Sequence, residues 1–255
     1  MRAAADPPAT DGHACTLPFR VRFDEAGPDG LLRTSSLLRY AQDLASFHSA
    51  ERGFDRAWYG VRGLAWLARA AEVAILAPIP HGSSMSGTTL VVGERRVWAR
   101  RRTDFTDATG RLLAWTHVDW VLLDARGAPT RIPPEFEGAF GTPKATFQLG
   151  RVALGPVPAT AHRSDFTVRP QELDPMDHVN NAVYADWLDE AVEGAGGRAA
   201  VRTVPRLVRL EYARSAEPAA ALWSDAWPAD DGWSCRVAER DGPELLRARL
   251  GVIPE

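Results

Sequence analysis

Residues 168–190, VRPQELDPMDHVNNAVYADWLDE, repeat residues 21–43, VRFDEAGPDGLLRTSSLLRYAQD, without a gap. Val168 falls on Val21, Arg169 on Arg22, Glu172 on Glu25, Pro175 on Pro28 and Trp187 on Tyr40. The polar centre of the second copy is missing from the first. There, Asp174 faces Gly27, His178 faces Leu31, Asn180 faces Arg33 and Asn181 faces Thr34. The same turn and helix are therefore written without Asp174 or His178, so the fold does not require them. One scaffold made twice, with one surviving polar cluster, is an enzyme-like pattern.

At 255 residues, 45% of them hydrophobic, the chain has material for two domains of about 125 residues each. In the first copy Thr34 reads as an N-cap ahead of Leu37, Tyr40, Ala41, Leu44 and Ala45. In the second, Asn181 reads as the cap of Tyr184, Trp187, Leu188, Ala191 and Val192. Both stripes keep the spacing of one buried helical face. Strand-like runs follow each helix: 64–76, 86–92, 95–106 and 112–123, then 206–214, 220–227, 233–239 and 244–253. Asp107 to Gly110 and Asp241-Gly242 read as hairpin turns.

One amphipathic helix per unit needs a large surface over its stripe, and the antiparallel sheet is the surface available. The expected class is α+β, each unit a sheet wrapped around its own long helix. Two such units would set their sheets side by side, as a homodimer of the unit would. The layout expected is a disordered tail over 1–14, a first domain over 15–135, a Pro/Gly-rich linker over 136–161 and a second domain over 162–255.

A net charge of −3 gives no global pull toward nucleic acid or membrane, and neither is expected as a partner. No run approaches 18 apolar residues, and the first residues lack the apolar segment of a secretory signal. Cys15 and Cys235 make no disulfide framework, so a reducing cytoplasm is the expected compartment. No Gly-rich phosphate loop follows a strand and no His or Cys pair has metal-ligand spacing, so neither cofactor nor metal is expected.

The chemistry concentrates in Asp174-Pro-Met-Asp-His178-Val-Asn180-Asn181, the loop that feeds the second long helix. A helix start leaves first-turn N–H groups unpaired and partly positive, here from Ala182 onward, which suits a polarised carbonyl or an oxyanion. Asp174 and His178 beside that end offer a carboxylate and an imidazole. Hydrolysis of an activated acyl group needs these parts: a base or nucleophile, a proton handler and donors for the oxyanion. Asn180 and Asn181 are placed to position the substrate or to cap the helix.

The segment DPMDHVNNAVYADWLDE resembles the D-x-(N/M)-x-H-V-N-N-x-x-Y-x-x-W signature of hotdog-fold thioesterases. The tandem arrangement over about residues 16–255 is similar to the acyl-ACP thioesterases (ACP, acyl carrier protein). The resemblance implies two tandem hotdog domains, hydrolysis of fatty acyl thioesters, and an acyl chain buried toward the first domain. It places the family's acid and imidazole on Asp174 and His178, and the partner as an acyl-ACP or acyl-CoA thioester. The plant enzymes carry Asn where this chain has Met176, and a Glu-Cys pair where Leu210-Glu211-Tyr212 is followed here by Ala213-Arg214-Ser215-Ala216.

Two other readings compete. A hotdog hydratase or dehydratase needs its Asp and His five apart, whereas here they are four apart. A non-catalytic acyl-CoA or acyl-ACP binder would keep the fold without turnover. Separately, Arg96, Arg100 and Arg102 share one face of a strand and could dock a carrier protein or a pantetheine phosphate, the alternative being charges paired on that face. A duplicated chain can close its own interface, so both monomer and homodimer are open.

Overall fold

The computed structural model describes residues 13–141 and 147–253. Most of the expected tail (1–12) and the segment 142–146 lie outside the described residues. The two long helices follow their apolar stripes. α1 (Thr34–Glu51) buries Leu37, Leu38, Tyr40, Ala41 and Leu44, and α4 (Val183–Gly194) buries Tyr184, Trp187, Leu188, Ala191 and Val192. The strands are β1 (Cys15–Arg20), β2 (Ala65–Ile75), β3 (Ser84–Arg95), β4 (Trp98–Thr106) and β5 (Leu112–Leu123) in the first half. The second half supplies β6 (His162–Thr167), β7 (Arg206–Tyr212), β8 (Ala221–Ala229), β9 (Gly232–Glu239) and β10 (Glu244–Val252). They form one ten-stranded antiparallel sheet in the order β1-β3-β4-β5-β2-β7-β10-β9-β8-β6. Each half is a sheet around its own helix, two hotdog folds in tandem, and one apolar core runs through both.

The halves meet as two copies of one unit would. At the β2–β7 seam Ala71 faces Leu210, with Ala70 opposite Glu211 and Glu72 opposite Arg209. Across the helices, Arg39 Nη2 donates to Asp186 Oδ2 at 2.9 Å. These two residues hold the same position in the two copies, 147 residues apart. Equivalent residues that touch each other mark a pseudo-twofold axis, the isologous geometry of a closed dimer built into one chain.

Several details depart from expectation. The cap of α1 is Arg33 and that of α4 is Ala182, neither with a side-chain cap bond. Thr34 is instead fully buried, its hydroxyl accepting from Arg206 Nη2 at 3.4 Å. β4 starts at Trp98 because Arg96 turns the chain with φ 56°. Three short helices, α2 (Arg56–Arg62), α3 (Glu135–Phe140) and α5 (Arg198–Arg202), are too brief for a periodicity to register. α3 falls where the linker was expected to begin and packs Phe136 and Phe140 against Phe54, Leu122 and Ile132. Beyond it, the connection crosses the sheet's outer face, with Gly150 N–H on Asp119 Oδ2 and Val152 N–H on Glu211 Oε2. Among the described residues, no helix is long and apolar enough to cross a membrane.

Candidate active site

The loop between β6 and α4 is held by one carboxylate. Glu172 Oε2 accepts from Arg169 N–H at 2.7 Å, and its Oε1 accepts from the Trp187 indole at 3.2 Å. This ties the loop entrance to the buried face of α4. Leu173 and Val179 then bridge across the loop, and Asp174 N–H donates to His178 O at 2.8 Å. The turn closes through Asp177, whose φ of 61° lies in the left-handed region that Asp tolerates better than most residues. Asp174 Oδ1 accepts from Met176 N–H at 2.8 Å, so one carboxylate oxygen shapes the turn. Among the described residues no protein group binds the other oxygen, and no hydrogen bond links Asp174 to the His178 ring. Both side chains are half-buried on the same small loop, and Met176 stands exposed at its tip.

The start of α4 corrects the expected oxyanion donors. Asn180 Oδ1 accepts from Ala182 N–H at 2.9 Å, and Asn180 O accepts from Val183 N–H at 2.9 Å. Ala182 is therefore not a free donor: an asparagine turn two residues upstream has taken its N–H. Among the described residues, Asn181 N–H remains without an acceptor, while its carbonyl receives the Tyr212 hydroxyl at 3.1 Å. Asn181 is thus not the cap, and its N–H is the donor left at the tip.

The first half reaches into this site. Asn180 Nδ2 donates to Gln42 Oε1 of α1 at 3.3 Å, and Arg56 Nη2 of α2 donates to Pro175 O at 3.3 Å. Sequence reading missed both. No local pattern marks Gln42; in the second copy its position is held by Asp189, which feels the charge of Arg33 on the other side of the axis. There, burial pushes Asp189 up to about 7, with Arg206 and Arg33 pulling against it. Asn181 and Ala182 border a small cavity of about 20 Å³ that runs under α1 past Leu38, Ala41 and Ala45. Asp174 and His178 lie upstream in the loop and do not line it. Where the plant enzymes have Glu-Cys, Ala216 is fully buried and its N–H donates to the Tyr184 hydroxyl at 2.9 Å.

The arginine stripe is largely engaged. Arg100 makes a bidentate pair with Asp119 at 2.6 and 2.7 Å and also donates to Gln148 O. Arg102 is 5% exposed and donates to Asp104 Oδ1 at 2.8 Å. Neither presents its guanidinium to a partner surface: Asp119 takes both arms of Arg100 beneath the connection at Gln148 and Gly150, and Arg102 is buried against Asp104 through its Nε. Arg96 alone of the three sits at a hairpin turn. Among the described residues, no group of three His, Cys, Asp or Glu could hold a metal ion.

The fold is a tandem hotdog sheet, and one loop of its second half carries an acid, an imidazole and a helix-tip N–H. Family models agree along the chain: the acyl-ACP thioesterase N-terminal domain matches residues 12–139 and the acyl-ACP thioesterase C-terminal domain matches 157–221. The chain belongs to the acyl-ACP thioesterase family, whose reaction is hydrolysis of fatty acyl thioesters. Among solved structures it is similar to a Lactobacillus plantarum protein described as an oleoyl thioesterase. That match has a TM-score of 0.83 at 19% identity, covering 95% of this chain and 97% of that one. It is also similar to an acyl-ACP thioesterase from Bacteroides thetaiotaomicron (TM-score 0.81, 14% identity, 96% and 99% covered). A 12:0-ACP thioesterase from Umbellularia californica gives a TM-score of 0.79 at 24% identity, with 96% and 98% covered. No curated protein matches the chain.

Proposed function

We propose that the loop 174–181 is where this thioesterase hydrolyses its acyl-ACP substrate. Asp174, through the oxygen not used in the turn, takes a proton from water as it attacks the thioester carbonyl. Asn181 N–H, at the positive end of α4, holds the oxygen that becomes negative. The tetrahedral adduct collapses, the C–S bond breaks, and the departing thiolate takes up the proton that Asp174 removed from water, relayed through the His178 imidazole. Asn180 fixes the loop against Gln42, so the first half positions a site whose reacting groups come from the second. The acyl chain is directed past Asn181 and Ala182 toward the first half.

The observation that carries this reading is the pair of loops: one backbone built twice, with an acid and an imidazole in one copy only. The test is hydrolysis of acyl-ACP by Asp174→Asn and His178→Gln, followed by free-thiol release. Each variant should lose about 100-fold or more. Asn at 174 can still accept from Met176 N–H, so the loop should keep its shape. Activity near wild type in either folded variant removes these assignments, and intact acyl thioester bound by wild type without turnover would favour the binder.

For the carrier, the family implies ACP, and a CoA thioester offers the same pantetheine arm. The Arg96 turn is the remaining part of the arginine stripe able to meet it, and Arg96→Glu should weaken KM for acyl-ACP more than for acyl-CoA. Because the β2–β7 seam joins the two halves within one chain, the proposed working unit is a monomer, checked by light scattering in solution. The two functional halves are proposed as 15–140 and 162–253, the first extended through α3.

A further inference from the structure

The two long helices start at different places in the frame that the copies share. α1 begins at Thr34, the position that Asn181 holds in the second copy, whereas α4 begins two residues later, at Val183. The hydrogen bonds at the tip account for the delay. A continuing α-helix would give Ala185 N–H to Asn181 O. Ala185 N–H instead donates to Ala182 O at 3.1 Å, and Asn181 O receives the Tyr212 hydroxyl at 3.1 Å. A side chain of β7 has thus replaced the helix as partner of the residue whose N–H is left at the tip.

Tyr212 is well mounted for that hold. It is 4% exposed, and its ring meets the ring of Tyr184 edge-on, 5.4 Å between centres. Tyr184 is tied in turn, its hydroxyl accepting from Ala216 N–H at 2.9 Å. Burial pushes the Tyr212 hydroxyl well above the usual phenol range, so it is a neutral donor at any working pH. The fold does not demand this hydroxyl. β7 repeats β2 with Glu211 on Glu72, acids that accept from Arg151 and Arg209 on the outer face. That register sets Tyr212 on Val73, which is fully buried in the same core, and the helix repeat sets Tyr184 on Leu37. Val73 offers no donor, and the helix of its half starts at Thr34. The late helix start and the hydroxyl occur together, in the copy that also carries the acid and the imidazole.

We infer that Tyr212 is a positioning residue for the hydrolysis: its hydroxyl holds Asn181 O out of the helical ladder and so aims Asn181 N–H at the thioester oxygen. The inference rests on Asn181 N–H being the oxyanion donor, as proposed above. Such a donor works only where it is held in advance at the place the negative oxygen will occupy. Without the hydroxyl, Asn181 O is free to take Ala185 N–H back. The helix then lengthens toward the form of α1, and Asn181 N–H turns with it.

The test measures acyl-ACP hydrolysis by Tyr212→Phe, and its affinity for a pair of unreactive analogues with the same acyl chain. One carries a trifluoromethyl ketone, whose hydrate presents an oxyanion; the other is a thioether with no carbonyl oxygen. Tyr212→Phe should lower kcat about tenfold with KM within about twofold of wild type, the worth of one well-aimed hydrogen bond. It should weaken the ketone about tenfold and the thioether by less than about twofold. A merely structural role weakens both analogues alike, so equal losses, or an unchanged kcat, overturn the inference. 4-Aminophenylalanine in place of Tyr212 keeps an N–H donor on the same ring and should hold the ketone nearly as wild type does. That variant also decides the matter if Tyr212→Phe does not fold, and loss of ketone affinity in it sinks the proposal. Equal affinity of wild type for ketone and thioether would instead strike Asn181 as the oxyanion donor. A wild-type preference for the ketone that survives in Tyr212→Phe removes Tyr212 alone.

Discussion

Residues 21–36 and 168–183 trace the same backbone with different chemistry on it. Gly27 N–H donates to Leu31 O at 2.8 Å as Asp174 N–H donates to His178 O, and Gly30 N–H donates to Gly27 O as Asp177 N–H donates to Asp174 O. Arg33 N–H reaches Glu25 O as Asn180 N–H reaches Glu172 O, and Gly30 and Asp177 share a positive φ. Even the anchor repeats: Glu25 accepts from Arg22 N–H and the Tyr40 hydroxyl, Glu172 from Arg169 N–H and the Trp187 indole. What the fold needs is therefore Glu25/Glu172 and the left-handed turn. What it does not need is Asp174, His178 and Asn180. Chemistry separates from scaffold within one chain, because the molecule carries its own control.

The comparison breaks most sharply if chemistry can be moved or erased without touching the fold. His178→Leu installs the residue that the first loop holds at Leu31, on a backbone already shown to carry it. Activity should drop about 100-fold or more while Tm stays within a few degrees. The reciprocal change, Gly27→Asp with Leu31→His, should create no hydrolysis in a variant that also carries Asp174→Asn. The first loop borders its own cavity of about 570 Å³, past Gly27, Leu31, Arg33, Asp189 and Arg206, but Thr34 there is fully buried with its hydroxyl committed to Arg206. Measurable turnover in that triple variant would show that the loop alone suffices.

Stability separates the halves next. Gln42 and Asp189 are equivalent positions, but Asp189 is an acid whose folded value, about 7, stands above its ordinary 3.8. The native state thus holds a proton that the unfolded chain has released. Its stabilising contribution is complete below about pH 4, declines as pH rises toward 7, and is gone above that. Asp189→Asn should remove this decline, so its Tm advantage over wild type should grow from pH 4 to 7 and then level off. An advantage independent of pH would mean that Asp189 is not protonated in the fold.

How much of this was legible in the chain depended on the range of the interaction. The repeat, both apolar stripes and the hairpin turn at 107–110 are local patterns, and they gave the tandem architecture and the loop proposed to react. The caps were misplaced because Asn180, not Asn181, bends its side chain back onto Ala182 N–H, a choice between adjacent asparagines that composition does not make. The arginine stripe misled for a different reason. Alternation along β4 separates its two faces correctly, but only the fold shows that Asp119, Asp104 and the connection at Gln148 occupy the outer one. Gln42 and Arg56 were invisible, since their partners lie 138 and 119 residues away.

A more modest effect tests whether the anchors are equivalent. Glu25→Gln and Glu172→Gln each keep the shape and remove the charge from two hydrogen bonds, which should cost about 1–3 kcal/mol in either copy. Thermal unfolding should show similar losses, whereas thioester hydrolysis should fall further in Glu172→Gln, whose loop carries Asp174. Equal activity losses would mean that both loops are parts of the working site.

The smallest effect lies on the axis itself. Arg39 and Asp186 are 46% and 36% exposed, so their pair is screened by water and contributes about 0–1 kcal/mol. Its value is diagnostic, because one position has been filled with opposite charges in the two copies. Arg39→Asp sets two acids against each other across the axis and should lower stability by up to about 1 kcal/mol. Adding Asp186→Arg exchanges the charges between halves and regenerates the same pair on the other side, so most of the loss should return. Failure of the exchanged pair to recover would show that Arg39 is held by its own helix, through the Ser35 hydroxyl at 2.9 Å, and not by the dyad.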